Sequence, residues 1–154
     1  LLVERGETLA AAESCTGGLL GEMVTDVPGA SGYFLGSAVT YSNAAKQRVL
    51  GVPEDAIAAH GAVSEAVAVA MAGGARQAYG SDWALSLTGV AGPTGGTDEK
   101  PVGLVWMALA GPGGTRTFRH HLPGTRELVR RRAALAALNH LRLTLMGREE
   151  ASPA

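Results

Sequence analysis

The sequence predicts an α/β fold, a three-layer α/β/α sandwich built on a mixed, mainly parallel sheet. Three observations lead there. Short apolar stretches alternate with segments of helical periodicity over the first half of the chain, the pattern of strands joined by helical crossovers. The early apolar stretches each run into a turn that starts a helix, which places those turns at the carboxyl ends of strands. Later, two strand-like stretches joined only by GPGG stand before the last helix, so an antiparallel hairpin joins the sheet.

Taken in order, Thr8 to Glu13 is small and apolar and runs into glycines, as a buried strand ending at a turn does. From Gly17, Leu19, Leu20, Met23, Val24 and Val27 recur at helical spacing. Tyr33 to Tyr41 is rich in aromatic and β-branched residues and reads as the second strand. Asn43 stands where an N-cap belongs, with Gly51 closing the helix it opens. Pro53 opens a short helix, and Ser64 caps a longer one ending near Tyr79 and Gly80. Asp82 to Thr88 is the third strand, followed by GVAGPTGG. Val102 to Ala110 and Thr115 to Leu122 form the hairpin, and Arg126 to Leu145 a helix whose leucines at 128, 135, 138, 141 and 145 share a stripe. One domain is expected over residues 1–147, with 148–154 a flexible tail.

Composition narrows the function classes. Thirteen basic and fourteen acidic residues leave a net charge of -1, which gives no general attraction for nucleic acid or an anionic membrane. A single cysteine offers neither a disulfide nor a metal-type spacing, so a reducing cytoplasm is the expected compartment and no metal or cofactor is expected. No apolar run approaches the ~20 residues of a membrane helix. The chain opens on leucine, which keeps an N-terminal domain in the same polypeptide open. The small residues of the helix over 64–79 suit packing against a second copy, and a homo-oligomer is expected.

Three turns follow the strands over 8–13, 33–41 and 82–88 and converge on one candidate site. In the first, AESCTGG, Ser14 is a nucleophile candidate, with Thr16, Gly17 and Gly18 offering N–H groups to an oxyanion. Ser14 or Thr16 acting only as a helix cap is the competing reading. Cys15 is a second nucleophile candidate, against a role as small core filler. Serine needs a base, and none of His60, His120, His121 and His140 falls at a predicted strand end. Lys46 can serve if burial and the helix dipole bring its titration from about 10.4 toward neutrality. Tyr41 is placed to relay a proton or hydrogen-bond the pair; a solvated lysine and a packed strand aromatic are the plainer readings. The third turn, SLTGVAGPTGG, could nest a phosphate, with Thr88 adding a hydroxyl and Arg126 and Arg130 the charge, or could be a glycine-rich connection alone.

AESCTGG, VTYSNAAK, HGAVSEAVAVAMA, SLTGVAGPTGG and EKPVGLVW, in that order, closely resemble the CinA C-terminal family, the nicotinamide mononucleotide deamidases. The resemblance runs from about Leu9 to the arginine-rich last helix. It implies hydrolysis of the carboxamide of nicotinamide mononucleotide (NMN) to nicotinate mononucleotide and ammonia by a Ser14–Lys46 dyad assisted by Tyr41. It further implies substrate-binding positions at Thr88 and Arg126, and motif neighbours Asn43, Gly89 and Gly92 are carried with them. A non-catalytic nucleotide-binding or regulatory module of a larger competence- or damage-inducible protein is the alternative.

Overall fold

The computed structural model describes residues 1–148, in which the apolar stretches become one five-stranded sheet. Its strands are β1 (Leu9–Glu13), β2 (Phe34–Val39), β3 (Trp83–Gly89), β4 (Leu104–Gly111) and β5 (Gly114–His121). The helices are α1 (Leu2–Arg5), α2 (Leu19–Thr25), α3 (Asn43–Leu50), α4 (Glu54–His60), α5 (Glu65–Tyr79) and α6 (Arg126–Leu145). Strand order is β2-β1-β3-β4-β5. β1 pairs in parallel with β2 and β3, and β4 pairs antiparallel with β3 and β5. The sheet is thus mixed, with parallel and antiparallel pairings in equal number. Because only β4 runs backward, four strands still end at the same edge.

The three layers follow from alternation along the strands. Leu85 and Leu87 of β3 pack with Leu20 and Val24 of α2 and with Val129, Ala133 and Ala137 of α6. Ala84 turns to the other face, against Val67, Met71 and Ala75 of α5. β1 is buried at every position, and its three alanines let helices approach from both sides. On the α5 face, Gly74 admits α3: a Cβ there would lie 2.0 Å from the Leu50 carbonyl oxygen. That close approach seats α3, and Lys46 with it, over the end of β1.

Several expected boundaries shift for identifiable reasons. Ser42, not Asn43, is the N-cap of α3, its hydroxyl accepting from the Ala45 N–H at 3.1 Å. Asn43 becomes the first helical residue, so Lys46 stands at the fourth helical position. α2 ends at Thr25, leaving Val27 beyond it and exposed. On α6, Leu128 and Leu135 face outward, because the buried stripe uses alanines at 133, 134 and 137 to bring the helix close to the sheet. The tail expected over 148–154 lies outside the described residues except for Arg148, whose N–H donates to the Leu143 carbonyl at 2.9 Å. No helix among the described residues is long and apolar enough to cross a membrane.

Candidate active site

The turn after β1 is fixed by a carboxylate that the sequence offered no reason to single out. Glu13 is fully buried and accepts from the N–H groups of Gly18, Leu20 and Gly21 at 3.0, 2.9 and 2.9 Å, and from the Ser37 hydroxyl at 2.7 Å. It therefore satisfies the orphan donors at the start of α2 from inside the fold, and its charge sits at the positive end of that helix. Gly18 occupies the N-cap position with φ 103°. Neither Ser14 nor Thr16 caps α2, so the capping reading of the motif is replaced, and the Ser14 hydroxyl is available for other work.

That hydroxyl meets Lys46. The Lys46 Nζ lies 3.0 Å from the Ser14 Oγ and donates to the Thr40 carbonyl at 2.9 Å and, more weakly, to the Tyr41 carbonyl at 3.5 Å. Lys46 is 1% exposed and Ser14 9%. Burial pushes the Lys46 amine below the ordinary lysine range, only partly opposed by the nearby Cys15. A neutral amine has two N–H groups and one lone pair. Two carbonyls accept the former, and the Ser14 hydroxyl is within hydrogen-bond reach of the latter. The arrangement can therefore take a proton from serine without rearranging.

Of the N–H groups expected to hold an oxyanion, Gly17's donates to the Ser14 carbonyl at 3.1 Å and Gly18's to Glu13. Among the described residues the Thr16 N–H has no protein acceptor. The Thr16 and Thr40 hydroxyls are also buried without a partner.

The mouth of the site is made by the other two turns and the start of α6. Arg126 donates to the Gly92 carbonyl at 2.9 Å and to the Tyr41 hydroxyl at 2.9 Å, both contacts lying toward the surface. Tyr41 is 60% exposed, and its phenol faces Arg126 rather than the Ser14–Lys46 pair; its carbonyl is what touches Lys46. Thr88 is 1% exposed and donates to the Ala62 carbonyl at 2.7 Å, which leaves a phosphate no proton to accept from it. Gly89 and Gly92 have structural causes. A Cβ at Gly89 would come within 2.7 Å of the Leu104 carbonyl oxygen, and one at Gly92, where φ is +79°, within 2.4 Å of a Val102 methyl. Asn43 is exposed at the first turn of α3. Arg130, expected to offer charge to a phosphate, holds the carbonyls of Cys15 and Thr16 at 3.2 and 2.8 Å.

Cys15 is buried in the core, and that burial raises its thiol to about 11. At neutral pH on the order of one thiol in 10⁴ is ionised at such a value. Cys15→Ser is therefore expected to keep activity within about threefold of wild type; near-complete loss, measured on folded protein, would make the thiol the nucleophile. Among the histidines, His121 does end β5 at the same sheet edge, contrary to the expectation that none would reach a strand end. It lies three strands from β1, roughly 14 Å across the sheet. His120 faces His140 of α6, their Nε2 atoms 2.8 Å apart. A groove of about 510 Å³ sits by the start of β1, lined by Leu2, Leu9, Met23, Tyr33 and Leu141, and it is apolar and remote from Ser14.

Comparison with known proteins places these features in company. The family model described as CinA C-terminal domain matches residues 1–145. A CinA-like protein of an Anaeromyxobacter species is 60% identical over 144 residues, which are 94% of this chain but 35% of that relative. The chain spans about a third of the length of the curated relatives it matches. Among solved structures it is similar to the competence damage-inducible protein A of Klebsiella pneumoniae, with TM-score 0.92 and 38% identity, covering 96% of this chain and 92% of that one. A competence/damage inducible protein of Agrobacterium tumefaciens superposes with TM-score 0.89 at 36% identity, covering 92% and 87%.

Proposed function

The chain belongs to the CinA C-terminal domain family, and on that footing we propose that it is a serine amidohydrolase deamidating NMN to nicotinate mononucleotide and ammonia in pyridine nucleotide recycling. The observation that carries this reading is the buried Lys46 amine 3.0 Å from the Ser14 hydroxyl, its other neighbours being two carbonyls. Neutral Lys46 takes the Ser14 proton as the Oγ attacks the carboxamide carbon. The resulting ammonium then gives that proton to the departing nitrogen, which leaves as ammonia while a nicotinoyl ester remains on Ser14. Water attacks the ester, Lys46 accepts a proton from it, and the proton returns to Ser14 as the acid departs.

Arg126 supplies positive charge at the mouth of the site, where a nucleotide phosphate reaching out from the buried carboxamide end would lie. Tyr41 supports it there, with its phenol on the guanidinium and its carbonyl on Lys46. Tyr41 in this reading links nucleotide binding to the base rather than relaying a proton.

The test is ammonia release from NMN by the purified protein, followed across pH. Because Lys46 acts in its neutral form, kcat/KM should rise as the amine deprotonates, at a pH below the usual lysine value of about 10.4, and then level off. A folded protein that binds NMN and releases no ammonia at any pH is a nucleotide-binding module instead.

A further inference from the structure

Four arginines occupy the first two turns of α6, and one of them has a role that charge alone does not suggest: we propose that Arg130 is a positioning residue that aims the Thr16 N–H as an oxyanion donor. This inference rests on the amidohydrolase reading of the same site. The Arg130 Nε donates to the Cys15 carbonyl at 3.2 Å, and the other guanidinium donor reaches the Thr16 carbonyl at 2.8 Å. One planar fork thus grips two successive peptides of the nucleophile turn. Gly17 turns the chain beneath it at φ +59°, a backbone conformation that residues with side chains rarely adopt.

The consequence follows from the planarity of the peptide. In a trans peptide the carbonyl and the next N–H point in opposite directions, so fixing the Cys15 carbonyl toward Arg130 fixes the Thr16 N–H away from it. Arg130 reaches the turn from α6 on one face of the sheet, and Lys46 reaches it from α3, which packs with α5 on the other. The Thr16 N–H is therefore directed away from the α6 layer, toward the side of the turn from which Lys46 reaches Ser14. It is also one of two donors of the turn left without a protein partner, the other being the Cys15 N–H, since Ser14 donates to the Leu87 carbonyl, Gly17 to Ser14, Gly18 to Glu13 and Leu19 to the Thr16 carbonyl. Of the two, the Thr16 N–H is the one whose own peptide Arg130 holds. A cation on the far side of the same peptide further polarises that N–H. Glu13 holds the turn by its N–H groups and Arg130 holds it by its carbonyls, so the donor does not have to reorganise as charge develops on the substrate oxygen.

An arginine serving this way differs kinetically from one that binds phosphate. With NMN as substrate, Arg130→Met in the full chain is expected to lower kcat by roughly 10²-fold while KM stays within about threefold, because an oxyanion donor acts in the transition state. Arg130→Lys, which restores one charged donor, should recover part of the loss. The specific signature is the preference for NMN over its thioamide analogue. A correctly aimed N–H favours oxygen over sulfur, so this preference should shrink at least about fivefold in Arg130→Met. A KM increase with kcat unchanged would make Arg130 a phosphate ligand and overturn the inference. So would a kcat loss that leaves the oxygen-to-sulfur preference untouched, with equal thermal unfolding midpoints showing both proteins folded. Failure of the amidohydrolase reading looks different: the wild-type chain itself would release no ammonia.

Discussion

Replacing Lys46 with methionine is expected to lower kcat/KM for NMN by at least roughly 10³-fold, and to do so in a protein more stable at mildly acidic pH than the wild type. Methionine fills a similar volume with a flexible apolar chain, so the fold keeps its packing and loses the base. The stability change has two opposing parts. Leaving the Thr40 carbonyl without a donor costs about 1 to 3 kcal/mol, and the part-buried Tyr41 carbonyl, whose contact is 3.5 Å, adds less. Removing an ionisable amine that is 1% exposed removes the cost of holding it deprotonated, about 1.4 kcal/mol for each pH unit below its unfolded value of about 10.4 until the depressed folded value is reached. The second outweighs the first wherever the wild-type amine is forced out of its preferred charged state.

The pH dependence separates the two parts. Burial depresses the Lys46 amine in the folded protein, whereas in the unfolded chain it titrates near 10.4. Between those two points the unfolded state binds more protons than the folded one, so wild-type stability rises with pH there, by up to about 1.4 kcal/mol per pH unit. Lys46→Met has no such slope. Its advantage is largest below the depressed pKa, narrows as pH rises and is gone by about pH 10.4, where only the cost at the two carbonyls remains. Urea unfolding of both proteins at a series of pH values measures this; a constant gap would mean that the amine is not held neutral by the fold.

The site was legible in the sequence where one element carries its own signal. A small apolar strand running into Gly17 and Gly18 announces a strand, a turn and a helix, and Lys46 is found from its distance past a strand end and a cap. What stayed hidden is contact between residues far apart. Arg130 grips Cys15 across 115 positions, and an arginine in an RRR run carries no mark of which one turns inward. Glu13 was passed over because caps are sought at the first residue of a helix, while here the carboxylate comes from within the preceding strand, six residues before Leu19. Ser42 and Asn43 are both good caps, and sequence alone does not rank neighbours. On α6 the leucine stripe misled because the sheet selects small side chains: alanine at 133, 134 and 137 permits an approach that leucine would block, which turns Leu128 and Leu135 outward.

Ser14→Ala is expected to abolish ammonia release, by roughly 10⁴-fold or more, while leaving the protein folded. Only the Oγ is lost, and Lys46 keeps the Thr40 and Tyr41 carbonyls as partners. Loss of activity alone does not distinguish a nucleophile from a residue that orients water, but the covalent step does. If Ser14 carries a nicotinoyl ester, an added nucleophile such as hydroxylamine intercepts it, and part of the acid product is replaced by the hydroxamate. NMN and the methyl ester of nicotinate mononucleotide would form the same ester on Ser14 after losing ammonia and methanol respectively. Both must then give one ratio of hydroxamate to acid at a given hydroxylamine concentration, because the leaving group has departed before the nucleophiles compete. A ratio that differs between the two substrates would mean no shared intermediate, and would assign Ser14 to orienting water in the field of Lys46 and the Thr16 N–H.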